Sequence, residues 1–188
     1  MSQDTDSEAL EQILAGAAEA AGPAAAATPV ERAAWLNAVA DALDAAAGEL
    51  IPVAAAETHL PPAPRLKGEL VRTTFQLRLF GQVLTDGAFL GATVDHADPN
   101  WPMGPRPDIR RVLFPIGPVL VFAASNFPFA FSVAGGDTAS AIAAGCPVIL
   151  KAHGGIRNSP SAPARSCVKR SPRQVRLPGC SRSSTVVR

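Results

Sequence analysis

The sequence predicts an α/β chain in which N-terminal helices lead into the first strands of a doubly wound sheet that remains incomplete. Three observations predict it. The first half carries Ala- and Leu-rich segments with apolar residues at helical spacing. Later come two short, continuously apolar runs, Val119–Ala123 and Pro147–Lys151. Between those runs lies one helical stretch, Ser132–Ala144, so that strand, helix and strand form a βαβ unit.

The first expected helix is Ser7–Ala21, with Leu10, Ile13, Leu14, Ala17, Ala18 and Ala21 on one face and Gly22-Pro23 as its stop. A second starts at Thr28-Pro29-Val30-Glu31. Thr28 suits the N-cap, Pro29 the first helical position, and Glu31 closes a capping box. Its apolar stripe is Trp35, Leu36, Val39, Leu43, Ala46, Ala47 and Leu50. After the punctuation of Pro61-Pro62-Ala63-Pro64, a third helix is expected from about Pro64 to Leu84, with Leu66, Leu70, Leu77 and Leu84 inward. Arg65, Lys67, Arg72 and Arg78 are left for its solvent side.

The period then changes. Phe89–Val94 reads as a short strand, Asp95–Pro99 as a turn, and Arg110–Pro118 as a strand ending in a Gly-Pro turn. Val119–Ala123 has the unbroken apolar character of a parallel strand covered on both faces. Ser132–Ala144 is a helix closed by Gly145, and Pro147–Lys151 is the next buried strand.

Charge divides the chain of 188 residues in two. Residues 1–153 hold all sixteen acidic and nine basic residues, a balance of −7, whereas residues 154–188 hold eight basic and no acidic ones. The second stretch contains seven Ser, four Pro and no apolar period, too little burial to offset the entropy of ordering its backbone. It reads as a disordered basic tail following a folded part of residues 1–153. Two explanations stand for it: an arm that binds nucleic acid, or a change of reading frame near His153. The lack of aromatic residues among the arginines favours the second.

Several classes are set aside. Val112–Ala124 is the longest apolar stretch, but Pro115 and Pro118 interrupt it, and it falls short of the ~20 residues that span a bilayer. The opening MSQDTDSEAL has no basic or apolar signal region, so a cytoplasmic location is expected and no membrane partner. Cys146, Cys167 and Cys180 have the spacing of neither a disulfide framework nor a metal knuckle, and no metal site is expected.

In doubly wound sheets ligands gather at the carboxyl ends of the strands. Those ends are Ala124-Ser125-Asn126 and Lys151-Ala152-His153. The Asn126 amide is either a hydrogen-bond donor for charge growing on a carbonyl oxygen or a cap for a turn or helix. Pro128 and the flanking Phe127 and Phe129 would stiffen the loop. Lys151 is either a ligand for sugar hydroxyls or phosphate, or a solvated strand end. There is no Gly-x-Gly-x-x-Gly, no P-loop and no Gly-x-Ser-x-Gly.

The stretches Phe114–Val119, Ser125–Pro128 and Ala143–Lys151 resemble the opening of the Rossmann-like coenzyme-binding domain of the aldehyde dehydrogenase superfamily. Ser132–Ser140, Lys151–His153, Arg65–Leu70, Gln76–Phe80 and Asp95–Pro99 are similar to its 2,5-dioxovalerate (alpha-ketoglutaric semialdehyde) dehydrogenase branch. The likeness runs from the first helix to His153 and stops where the charge changes.

The resemblance implies oxidation of a small aldehyde, possible substrates including 2,5-dioxopentanoate, to a carboxylate with NADP or NAD. In the family a cysteine thiolate adds to the aldehyde, the alkoxide expels hydride to the nicotinamide, and a glutamate-activated water frees the acid. It implies that Asn126 is the side-chain half of the oxyanion hole and that Lys151 bonds the adenine ribose. Ser125, Phe127 and Pro128 would shape the wall beside the nicotinamide ribose, and His153 would bear on the choice of NAD or NADP. Full-length members form homo-oligomers. The family's nucleophile cysteine and its Glu-Leu-Gly-Gly base motif have no counterpart in this sequence. Cys146, beside Pro147 at a helix-to-strand junction, reads as a small buried hydrophobe. The expectation is therefore an N-terminal portion that does not turn over aldehyde alone, with uncovered strand faces. The rival reading is a non-enzymatic adaptor that binds nucleic acid through its basic tail.

Overall fold

The computed structural model describes residues 5–153 and the backbone of Ser184–Val187. Five helices and five short strands follow in the order α1 (Ser7–Ala26), α2 (Pro29–Ala45), α3 (Ala47–Thr58), α4 (Lys67–Asp86), β1 (Thr93–Asp95), β2 (Ile109–Arg111), β3 (Val119–Phe122), α5 (Gly136–Ala143), β4 (Val148–Lys151) and β5 (Ser184–Val187).

Local chemistry sets most helix starts. Asp6 caps α1 by accepting from the Ala9 N–H at 2.7 Å. The capping box of α2 is complete: the Glu31 N–H donates to Thr28 Oγ1 at 3.2 Å, and the Thr28 N–H to the Glu31 carboxylate at 2.8 Å. Those contacts hold the Glu31 carboxyl below its ordinary value of 4.5.

Other boundaries differ from expectation. α1 does not stop at Gly22-Pro23 but continues to Ala26, because Ala17, Ala20 and Ala24 lie on one buried face that carries the helix past the proline. The second helix divides at Ala46, and α3 runs beyond Leu50. Pro62–Leu66 forms a wide helical turn before α4. The expected strand at Phe89–Val94 is a 3₁₀ turn at Ala88–Leu90 followed by the three residues of β1, with Gly91 at φ 54° between them. Of the stretch Arg110–Pro118 only the start is extended, in β2, which pairs antiparallel with β1. α5 begins at Gly136 rather than Ser132, because Ser132–Gly135 is turn.

Packing joins the two halves. Ala33, Leu36 and Ala40 of α2 meet Leu77 and Leu84 of α4 and Ala139 and Ala143 of α5 in one buried cluster. Arg32, only 5% exposed, spans the same region and donates from Nη1 to the Ala143 carbonyl at 2.8 Å. Burial pulls this guanidinium below its ordinary range. A second cluster sets Leu50, Ala54, Leu66 and Leu70 around Phe129.

β3 and β4 are parallel, with Val119 opposite Val148 and Phe122 opposite Lys151, and α5 makes the crossover between them. Val121, Val148, Leu150 and Cys146 pack with Ala141 of α5, while Ile149 turns to the opposite face and meets Ala17 of α1. The double coverage expected of β3 is not found among the described residues: Leu120 and Phe122 are 54% and 68% exposed, whereas Ile149 of β4 is covered by Ala17 of α1. Disorder was expected for residues 154–188. Most of that stretch lies outside the described residues, but Ser184–Val187 forms β5, parallel to β4 with Val148 opposite Ser184. Thr185-Val186-Val187 is β-branched and suits a pleated edge, which the composition of the whole tail conceals.

Candidate active site

The loop after β3 is built by its own backbone and by one face of α4. The Ala124 N–H donates to the Phe131 carbonyl at 2.8 Å and the Phe131 N–H to the Phe127 carbonyl at 3.2 Å, which closes the loop on itself. Phe127 and Phe131 meet edge to face with ring centroids 5.3 Å apart. The Gly136 N–H donates to the Ala130 carbonyl at 2.9 Å. A side chain at Gly135 would run into that carbonyl, so glycine is required there by close backbone approach.

From α4, Glu69 reaches beneath the loop. It is 4% exposed, and its Oε1 accepts from the Phe129 N–H at 2.8 Å and the Ala130 N–H at 2.9 Å. Its other oxygen takes the Arg65 guanidinium. Arg65 in turn donates to the Asn126 carbonyl at 3.0 Å and covers the Phe127 ring at 4.4 Å. Arg65 is thus not a solvated charge, as its helical position suggested; it ties the Asn126 backbone to α4. Glu69 entered the sequence reading only inside a family motif. The one signal that could have found the pair is its four-residue spacing, which puts Arg65 and Glu69 on one face.

The candidate residues then fall into place as follows. Asn126 is exposed at the tip of the loop, and Ser125 and Phe127 beside it are half-buried. Pro128 is fully buried, so it offers no surface to a coenzyme and acts only on the shape of the loop. Lys151, the last residue of β4, and His153 beyond it are exposed. The parallel register sets the Lys151 end beside the Asn126 loop, with the Ala123 N–H donating to the Lys151 carbonyl at 3.0 Å. Cys146 is buried in the cluster under β3 and β4 and has no access to the loop surface. An open apolar cleft lies elsewhere, between Phe114, Ile116, Leu120, Phe122 and α5, and neither Asn126 nor Lys151 lines it. Among the described residues no group of His, Cys, Asp or Glu could hold a metal ion, and no helix is long and apolar enough to cross a membrane.

A parallel βαβ unit with an exposed amide beyond one strand end and an exposed lysine at the next is the beginning of an open α/β sheet, the class of fold that gathers ligands at its strand ends. The chain belongs to the Aldehyde dehydrogenase family, whose pattern matches residues 2–160. Two curated relatives are alpha-ketoglutaric semialdehyde dehydrogenase 2 of Azospirillum brasilense, 60% identical over 122 residues, and alpha-ketoglutaric semialdehyde dehydrogenase of Acinetobacter baylyi, 50% identical over 128 residues. These alignments cover 65% and 68% of this chain but 23% and 24% of the relatives, so the chain spans about a quarter of their length.

Solved structures agree on the fold. Aldehyde dehydrogenase 21 from Physcomitrella patens, in complex with succinate, superposes with a TM-score of 0.76 at 22% identity over 98% of this chain and 36% of that one. Succinic semialdehyde dehydrogenase from Streptococcus pyogenes, with NADP+, gives 0.70 at 16% identity over 100% of this chain and 37% of that one. None of these comparisons supports a nucleic-acid adaptor.

Proposed function

We propose that residues 1–153 supply the oxyanion donor and part of the coenzyme ledge of an NAD(P)-dependent aldehyde dehydrogenase whose substrate is a small acidic aldehyde such as 2,5-dioxopentanoate. The observation that carries this reading is the exposed Asn126 amide at the end of β3, on a loop whose backbone is fixed by Glu69 and Arg65. A pre-set amide N–H stabilises charge on an aldehyde oxygen without reorganising at the moment of reaction. Lys151 suits a ribose hydroxyl by chemistry and position, with Ser125 and Phe127 forming the wall beside it and His153 at its margin. The coenzyme, when bound, accepts the two electrons of the oxidation.

Turnover also needs a thiol and a base. Cys146, the one cysteine among the described residues, is 4% exposed and cannot serve as the thiol. Because the family's nucleophile cysteine and its base motif have no counterpart in the sequence, the 188-residue chain alone is expected to form no reduced nicotinamide.

The test joins residues 1–153 to the downstream portion of the Azospirillum brasilense relative. This chimera should reduce NAD(P) with 2,5-dioxopentanoate, and Asn126→Ala should lower kcat by about 10²–10³. A folded chimera in which Asn126→Ala keeps full kcat would refute the proposal.

A further inference from the structure

The face that meets the 124–136 loop carries Arg65, in the turn before α4, and Glu69, Arg72 and Gln76 on α4, spaced four, three and four residues apart. Two of the four are bonded to the loop: Arg65 holds the Asn126 carbonyl and Glu69 holds two loop amides. Gln76 is neutral and stands close against Gly136. Arg72 is the charged group of this face that bonds nothing in the loop. Its guanidinium stands 6.0 Å from the Phe131 ring centroid, its side chain is exposed, and no carboxylate among the described residues pairs with it. Arg78 on the same helix shows the ordinary arrangement, bonded to Asp41 at 2.6 Å and Asp44 at 2.8 Å.

We infer that Arg72 determines specificity at this site by binding the carboxylate end of a substrate whose aldehyde end meets Asn126. The geometry follows from the aromatic pair. Phe131 touches Phe127 edge to face, and Phe127 adjoins Asn126, so a cation resting on Phe131 borders the same loop. A guanidinium held against a ring keeps its edge of N–H donors free, and that edge fits a carboxylate with two parallel hydrogen bonds. Arg65 cannot do the same work, because Glu69 and the Asn126 carbonyl already occupy it.

The inference rests on the dehydrogenase reading above and deepens it. Its first test uses the 188-residue chain, isotopically labelled, with glutarate as the probe. Glutarate at constant ionic strength should shift the Arg72 Nε–Hε signal and the Phe131 ring signals saturably. Neutral glutaramide, inorganic phosphate and NADP+ should not, and Arg72→Ala should abolish the Phe131 response. No saturable shift with glutarate, or an equal shift with phosphate or NADP+, would overturn the inference.

A kinetic arm uses the chimera. Arg72→Ala should raise KM for 2,5-dioxopentanoate relative to pentanal by about 10- to 100-fold, with Arg72→Lys between the two. An unchanged ratio would remove Arg72 from specificity while leaving the dehydrogenase reading intact. A folded chimera that oxidises neither aldehyde would sink that reading, and the glutarate titration would still decide whether Arg72 binds a carboxylate.

Discussion

Replacing Glu69 by alanine should be among the most damaging single changes in the chain. The carboxylate is 4% exposed and accepts from the Phe129 and Ala130 N–H groups at 2.8 and 2.9 Å. Removing it leaves both donors buried without a partner, at about 1–3 kcal/mol each. The ion pair with Arg65 adds little, because the Arg65 side chain is 31% exposed and water screens it. The expected loss is therefore about 2–6 kcal/mol, a large share of the ~5–15 kcal/mol typical of a domain.

Glu69→Gln separates the contributions. Its amide oxygen can still accept both N–H groups, but more weakly than a carboxylate does, so a loss of about 1–2 kcal/mol is expected. Urea unfolding followed by far-UV circular dichroism gives the two free energies, and amide hydrogen exchange at Phe129 and Ala130 localises them. If the alanine variant stays within about 0.5 kcal/mol of the parent and both amides exchange at the parent rate, Glu69 does not hold the loop.

Two further changes test the frame around it. Gly135→Ala sets a methyl group against the Ala130 carbonyl and should cost about 1–3 kcal/mol, seen as a lower Tm and faster exchange at Gly136. Glu31 tests the α2 cap through pH. Its carboxyl is held below its ordinary value of 4.5 by the Thr28 N–H and hydroxyl, so its contribution is fully present above about pH 4.5. That contribution is lost as pH falls through the depressed folded value, so the Tm gap between the parent and Glu31→Ala should be constant above that pH and narrow below it.

What the sequence makes legible is what depends on neighbours along the chain. Thr28, Pro29 and Glu31 sit within one helical turn, and their capping box forms as read. Val119–Phe122, α5 and Val148–Lys151 are short, contiguous and periodic, and they give the expected βαβ unit. Asn126 and Lys151 reach the strand ends because the sheet rule needs only strand direction. The failures share a non-local cause. Pro23 is a stop signal by itself, yet the face of Ala17, Ala20 and Ala24 packs α1 through it. Arg65 looks like a solvated charge on a helix, yet it and Glu69 beside it bond groups sixty or so residues away in the loop.

The arrangement also divides the work between the two sides of β3. On the side of α4, the Asn126 loop is held by Glu69, Arg65 and its own turns, all within the described residues. On the other, Leu120, Phe122, Phe114 and Ile116 leave a broad apolar face uncovered by those residues, whereas Val148, Ile149 and Leu150 one strand over are buried. An apolar face of that breadth is unfavourable in water and is the kind of surface that packing partners cover. Among the described residues, the loop that carries the amide is fixed by Glu69, Arg65 and its own turns, and not by that apolar face. Mutations at Glu69 should therefore act on the donor directly, whereas mutations at Leu120 or Phe122 should act on solubility and assembly and leave the loop amides protected.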